Sequence, residues 1–164
     1  MMSKPSPILR PLLQAPAYLY HWRLGGLLGH RFLLLVHVGR RTGRRYHTVL
    51  EVLEYRPELG EAIVMSGFGR DADWLRNIQA AREPEVVIGS HRFPAAFRVL
   101  DAEEAVRVLA GYEHRHRLLA PIIRAVLSKL LGWRYDGTGQ ARCRVVAQLP
   151  LVAFRPWSGS IQSC

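Results

Sequence analysis

Short β-forming runs, each closed by a glycine or proline turn, fill the middle of this chain and limit the folds open to it. Arg31–Val38 (RFLLLVHV) is an apolar run flanked by glycines and reads as a buried strand. Gly39–Arg45 (GRRTGRR) is a turn, and Thr48–Tyr55 (TVLEVLEY) returns as a second strand. Pro57–Gly60 turns the chain again, and Glu61–Ser66 (EAIVMS) is a third strand. A helix capped by Asp71 or Asp73 follows, from Trp74 to about Ala81, and Pro84 ends that region. Glu85–Gly89 and His91–Leu100 pair about a Gly89-Ser90 turn, with Pro94 marking a bulge or an edge. Asp101 and Glu104 make a capping-box-like start for a helix over Ala102–His116. Leu118–Leu131 continues as another helix with Pro121 in its first turn. Arg142–Phe154 reads as the last strand, interrupted at Pro150. Ahead of the sheet, a short helix is expected over Ala17–Gly29, and four prolines keep residues 1–16 irregular.

Hairpin-linked strands with few crossover helices disfavour a doubly wound parallel sheet. The expected class is α+β, mainly β: a mostly antiparallel sheet or small barrel with packed helices, in one domain spanning residues 1–164. A hydrophobic content of 49% is enough for a buried core and excludes whole-chain disorder. No run reaches the ~18 apolar residues of a membrane span. The two cysteines, Cys143 and Cys164, are too few for a disulfide framework or a metal cage, which fits a reducing, cytoplasmic setting. Of the seven histidines only His114 and His116 are close, and two positions apart on a helix they face apart, so no metal site is expected. No GxGxxG follows a strand and no GxxxxGK[ST] occurs, so dinucleotide and P-loop sites lack support.

The net charge is +10, and every cationic side chain except Lys4 and Lys129 is arginine. Guanidinium forks match phosphate and carboxylate, so an anionic partner is expected. GRRTGRR concentrates that charge. Gly39 and Gly43 permit a tight turn whose amides can converge on an anion, with Arg40, Arg41, Arg44 and Arg45 around it. The same residues serve equally as a solvated hairpin tip that protects a strand edge. In SGFGRDADW, the bare backbone of Ser66–Gly69 admits a planar ligand, Arg70 adds charge, and Trp74 is either an aromatic wall or a core residue. His37, inside an apolar strand, reads as a satisfied core histidine.

The segments LLLVHVGRRTGRR, VMSGFGRDADWLRNIQA and EPEVVIG occur in an order and spacing that resemble the deazaflavin-dependent nitroreductase family, which uses coenzyme F420. The resemblance covers about residues 20–100. It implies a split β-barrel of the FMN-binding type, like that of flavin-reductase and pyridoxamine-phosphate-oxidase relatives. In such proteins reduced F420 passes a hydride to a quinone, nitroaromatic or activated alkene. Carried onto this chain, the residues that hold the phosphate and acidic tail are Arg40, Arg41, Thr42 and Gly43. Those that face the ring are Thr48, Val49, Leu50, Ser66 and Trp74. Several members carry a lysine directly after the third-strand serine, where this chain has Gly67, and Arg70 is the candidate replacement. Other departures are Arg44-Arg45-Tyr46 where some members have Gln-Pro-Arg, and Val49 where many have proline. Tyr112 and Tyr135 are substrate-side donor candidates. No acid or base is assigned.

The implied cofactor is F420 in preference to FMN, and the implied partner is a small acceptor rather than nucleic acid. A dimer is compatible with the resemblance. Ala17–Leu28 and Leu118–Trp133 combine apolar stripes with Arg, Lys, Trp or Tyr, as interfacial helices do, so peripheral contact with the inner membrane face is weighed against simple covering of the barrel. Two alternatives stay open: a non-catalytic F420 or flavin carrier, and a basic nucleic-acid-binding protein, although no RNP, KH or helix-turn-helix signature occurs and the arginines are dispersed. Serine at both Cys143 and Cys164 is expected to leave folding and cofactor binding intact. Loss of binding under a mild thiol reductant would contradict this.

Overall fold

The computed structural model describes residues 29–81 and 83–158. The helix expected at Ala17–Gly29, the irregular segment 1–16 and Cys164 therefore lie outside the described residues, apart from Gly29 itself. Six strands, β1 (Phe32–Val38), β2 (Arg45–Arg56), β3 (Glu61–Met65), β4 (Glu85–Ile88), β5 (His91–Val99) and β6 (Leu151–Pro156), close into an antiparallel barrel in the order β1-β2-β3-β6-β5-β4. Among the described residues four helices accompany them: α1 (Asp73–Ala81), α2 (Ala102–Arg115), α3 (Ala120–Leu131) and α4 (Gly139–Gln148).

Two long strands split the barrel. The first part of β2 pairs with β1, from Val38↔Arg45 to Phe32↔Glu51, and its second part pairs with β3, from Val52↔Val64 to Arg56↔Glu61. The register slips between Val52 and Glu54, a bulge that lets the strand bend from one sheet into the other. β5 does the same without a bulge: His91–Pro94 pair with β4, and Ala95–Val99 pair with β6. Pro94, which the sequence marks as a bulge or an edge, stands at that change of partner.

The second sheet is buried on both faces. Ala62, Val64, Val152 and Phe154 point into the barrel, where they meet Leu33, Leu35 and the α1 residues Trp74, Leu75 and Ile78. Their neighbours Ile63, Leu151 and Ala153 point outward and are covered by Val108 and Leu109 of α2 and by Val145 of α4. Continuous apolar runs such as EAIVM therefore suit β3, because neither of its faces meets water.

One expectation is corrected. Arg142–Gln148 is helical, and only Leu151–Phe154 of the expected last strand is extended, β6 running on to Pro156. Thr138 caps α4 by accepting from Ala141 N at 3.2 Å. The Val145-Val146 pair has β character, but Ala141, Val145 and Leu149 recur every four residues and form one buried stripe on α2. Packing overrides the local preference here. Cys143 accordingly sits exposed on a helix. A smaller correction concerns Leu118 and Leu119, which belong to a 3₁₀ turn (Arg117–Leu119) that precedes α3.

A network of charges ties the rim together. Arg56 on β2 donates to Glu54 (2.6 Å), Glu61 (3.1 Å) and Glu104 (2.8 Å). Arg98 on β5 donates to Glu61 and to Glu104, the latter at 2.7 and 2.8 Å. The hydrogen bonds from Arg98 hold the Glu104 carboxyl down to about 2, with Arg56 acting in the same direction. A depressed carboxyl stabilises the fold above its ordinary value of 4.5, and that contribution is lost as pH falls toward 2. Glu104→Gln should lower unfolding free energy by about 1–2 kcal/mol at pH 7. Urea unfolding at pH 7 and pH 2.5 should show the gap between variant and parent shrinking at the lower pH.

Candidate functional site

The β1–β2 turn projects beyond the barrel and packs against α1, and a cleft of about 330 Å³ opens between them. His37, Gly39, Arg40, Arg41, Thr42, Tyr46, Asp73 and Asn77 line it. The turn is shaped by its own hydrogen bonds: Gly39 N donates to Arg44 O and Gly43 N to Gly39 O, both at 2.8 Å. Gly43 has φ +66°, a conformation in which glycine carries no steric cost. Gly39 is required for a different reason. A Cβ there would stand 2.6 Å from the Tyr46 ring and 2.7 Å from Thr42 Oγ1, the two groups that pack over it. Their hydroxyls lie 3.1 Å apart, within hydrogen-bond reach.

The four arginines of the turn separate into two kinds. Arg45 reaches across to Glu85 on β4 at 2.8 Å. Arg40 is drawn onto α1, with Nη2 donating to Asp73 Oδ1 at 3.0 Å and Nη1 to Asn77 Oδ1 at 2.8 Å. Arg41 and Arg44 are exposed and make no ion pair among the described residues. The backbone amides of Gly39, Arg40, Gly43 and Arg44 are all occupied within the chain, so the anion nest expected from the glycines is not formed by them. The positive charge of the cleft is carried by side chains, and Arg41 is its unpaired member.

Sequence reasoning gave Asn77 and Tyr46 no role in the site and Asp73 only that of a helix cap. Asp73 and Asn77 are one helical turn apart on α1, so both reach the same neighbour. Asn77 is 5% exposed, and its Nδ2 faces His37 Nδ1 at 3.1 Å. His37 is 4% exposed, and its Nε2 faces Thr48 Oγ1 at 3.0 Å. Burial holds the His37 imidazole below its ordinary value, His47 lowers it further, and Asp73 acts the other way. Both ring nitrogens are hydrogen-bonded, as expected of a satisfied buried histidine. An asparagine one helical turn after Asp73, in a helix otherwise buried through Trp74, Leu75 and Ile78, was the available signal.

The other expected residues are placed as follows. Arg40, Arg41 and Thr42 line the cleft, Gly43 closes the turn beside them, and Thr48 is joined to it through His37. Val49 and Leu50 follow on β2, half-buried, with Leu50 packed against the barrel interior. Ser66 is buried and donates its hydroxyl to Gly69 O at 2.6 Å, which spends that proton on shaping the loop. Arg70 is exposed on the 3₁₀ turn Gly69–Asp71. Trp74 lies in the barrel interior, its ring 6.3 Å from that of Phe154. Tyr112 donates to Glu51 at 2.8 Å. Tyr135 is buried among the covering helices and donates to Glu113 at 2.7 Å. Burial, reinforced by the neighbouring carboxylate, pushes both phenols above their ordinary range. Among the described residues no cluster of ligating side chains could hold a metal ion.

Solved structures share this fold at low sequence identity. An F420-H2 dependent reductase (FDR-A) superposes with a TM-score of 0.51 and 17% identity, covering 78% of this chain and 96% of that one. A protein described as a domain-swapped dimer matches with a TM-score of 0.51 and 14% identity, over 85% of this chain and 99% of its own. HutZ, the heme storage protein of Vibrio cholerae, matches with 0.50 and 15%, over 85% and 90%. The curated proteins contain no match. Residues 21–116 match the F420H(2)-dependent quinone reductase family, a span that holds every motif behind the F420 resemblance, and the chain belongs to that family of oxidoreductases.

Proposed function

We propose that this protein binds reduced F420 with the cofactor's anionic tail on the Gly39–Gly43 turn, and that a quinone is the acceptor. When bound, F420 supplies a hydride equivalent, and the protein supplies orientation and charge. The observation that carries the reading is the pairing of a restrained Arg40 with an unpaired Arg41 on one cleft. Asp73 offsets part of the Arg40 charge, so Arg41 is the stronger anion ligand and Arg40 the better-placed one. Thr42 and Tyr46 hydroxyls stand beside them as uncharged partners. The Ser66–Gly69 hydrogen bond keeps the loop ahead of α1 tight, with Phe68 exposed on it. Nitroaromatics and activated alkenes are further acceptors to assay against menadione. Turnover with any of them excludes the carrier alternative. Many arginines are committed to carboxylates rather than aligned in a stripe, which argues against a nucleic-acid surface.

A second feature favours membrane contact during quinone reduction. No acidic residue lies between Glu113 and Asp136, while Arg115, Arg117, Arg124, Lys129 and Arg134 do. Within that segment Ile122 and Val126, one turn apart on α3, are 61% and 53% exposed, and Leu118 in the preceding 3₁₀ turn is 90% exposed. The opposite face of α3 packs through Ile123, Leu127 and Leu131 onto the covering helices. An apolar stripe flanked only by cations fits an anionic lipid surface, where quinones also partition. No helix among the described residues is long and apolar enough to cross a membrane. Ala17–Leu28, the other segment read as interfacial, lies outside the described residues.

Arg41→Ala should weaken F420 binding by about 1.5–3 kcal/mol with an unchanged melting temperature. Arg40→Ala should lose both affinity and stability, because it also unties α1, and the double substitution should cost about 2–4 kcal/mol of affinity. A deazaflavin chromophore without its tail should be nearly indifferent to both. Equal F420 affinity in a folded double variant returns the turn to a solvated hairpin tip. In co-sedimentation at low salt, phosphatidylglycerol vesicles should pellet the protein and phosphatidylcholine vesicles should not, with Ile122→Asp/Val126→Asp abolishing the effect. No pelleting of the parent sinks the membrane reading.

A further inference from the structure

The hydrogen bonds of Asn77 fix more than its own position. Its Oδ1 accepts twice from one residue, from the Arg40 backbone amide at 3.1 Å and from Arg40 Nη1 at 2.8 Å. That end of the amide is therefore oxygen, and the end facing His37 Nδ1 at 3.1 Å is the NH₂ group. An amide NH₂ only donates, so Nδ1 presents its lone pair and the imidazole proton sits on Nε2. Nε2–H then donates to Thr48 Oγ1 at 3.0 Å, and Thr48 keeps its own hydroxyl proton to give elsewhere. A directed chain of hydrogen bonds thus runs from Arg40 through Asn77 and His37 to Thr48, linking the basic turn to the strand expected beside the ring.

We propose that Asn77 is a positioning residue for the anion-binding turn, holding Arg40 through a hydrogen-bond chain that is complete only while His37 is neutral, so that F420 affinity is gated by protonation of His37. This rests on the reading of the turn as the site of the F420 tail. Protonation would place a second N–H on Nδ1, directly against the Asn77 NH₂. Turning the amide over would relieve that clash but set NH₂ against the two Arg40 donors. In the first case N–H against N–H repulsion displaces Asn77, and in the second Oδ1 turns away, so Arg40 loses its inner acceptor and is held by Asp73 alone. The groups facing His37 are His47 on β2, Asp73 on α1, the Arg40 guanidinium beyond Asn77, and the Tyr46 ring, whose centroid lies 5.9 Å away. Burial favours the neutral ring, so the chain is complete at and above the ordinary histidine value of 6.5 and breaks only as pH falls through the lowered value beneath it. By linkage, bound F420 should lower the titration point of His37 further.

The test has a ligand-free arm and a binding arm. Two-bond ¹H–¹⁵N spectra of the apoprotein at pH 7.5 should show His37 as the Nε2–H tautomer. F420 titrations by fluorescence from pH 5 to 8 should show the parent losing roughly five- to tenfold in affinity at the acid end, beyond the change in Asn77→Asp. The carboxylate introduced by that substitution accepts from Arg40 and from a protonated His37 alike, so its clamp survives acid, and comparison at equal pH cancels titration of the ligand. Asn77→Leu should bind roughly five- to tenfold more weakly at pH 7.5. Should that variant fail to fold, Asn77→Asp and the tautomer still decide. An Nδ1–H tautomer, an Asn77→Leu variant that binds like the parent, or an Asn77→Asp variant that follows the parent's pH profile each overturns the inference. If the parent does not bind F420, the reading of the turn falls and takes the inference with it. If the parent binds and the variants are unaffected, the inference alone falls.

Discussion

Two strands have to serve two sheets, and the rest of the molecule follows from how they do it. β2 and β5 each begin in one half of the barrel and end in the other. A strand can change sheets only by bending, and bending breaks the regular ladder. β2 uses a register slip between Val52 and Glu54. β5 changes partner at Pro94, whose missing amide would be a defect inside a regular ladder. Barrel closure also removes the exposed edges that the shorter strands would otherwise carry, so neither β3 nor β4 needs charge along its length to block edge-to-edge pairing.

This arrangement places the cleft. Because β1 and the first part of β2 pair in register up to Val38↔Arg45, the turn between them must leave the sheet at the barrel rim. α1 enters the interior with Trp74, Leu75 and Ile78, which leaves Asp73 and Asn77 on the side that meets the turn. Arg40 is then caught between a helix committed to the core and a turn committed to the rim. Its position is inherited from the barrel, and a guanidinium restrained in that way loses little freedom on meeting an anion. Arg41, one residue on, has no such restraint and keeps its full charge.

How much of this was legible in the sequence depended on the range of the interaction. The β1–β2 and β4–β5 hairpins were readable because glycine turns and apolar runs are local signals, and the α2 cap was readable from Asp101 and Glu104, whose bond forms at 2.8 Å. Arg142–Gln148 misled because its Val-Val pair speaks for a strand while its stripe of Ala141, Val145 and Leu149 has meaning only against α2. In the cleft, the basic turn stood out by charge alone. The fates of its arginines did not, because Glu85 lies 40 residues from Arg45 and Asp73 lies 33 from Arg40. Ser66 looked available for the same reason: that its proton goes to Gly69 O depends on a loop conformation that composition does not specify.

Asparagine at position 77 also bears on why the pair with His37 is neutral. An aspartate there would accept from Arg40 equally well, but it would then face Nδ1 and draw a proton onto the imidazole, adding a buried cation beside His47 and Arg40. Desolvating that charge would cost several kcal/mol unless fully compensated. Aspartate appears instead at position 73, at the exposed end of the same helical face, where its second oxygen can remain in water. The helix thus presents two acceptors to one guanidinium, a charged one outside and a neutral one inside. The order matters: reversed, the neutral acceptor would compete with water at the rim, and the charged one would be stranded in the interior beside a histidine that burial already keeps neutral.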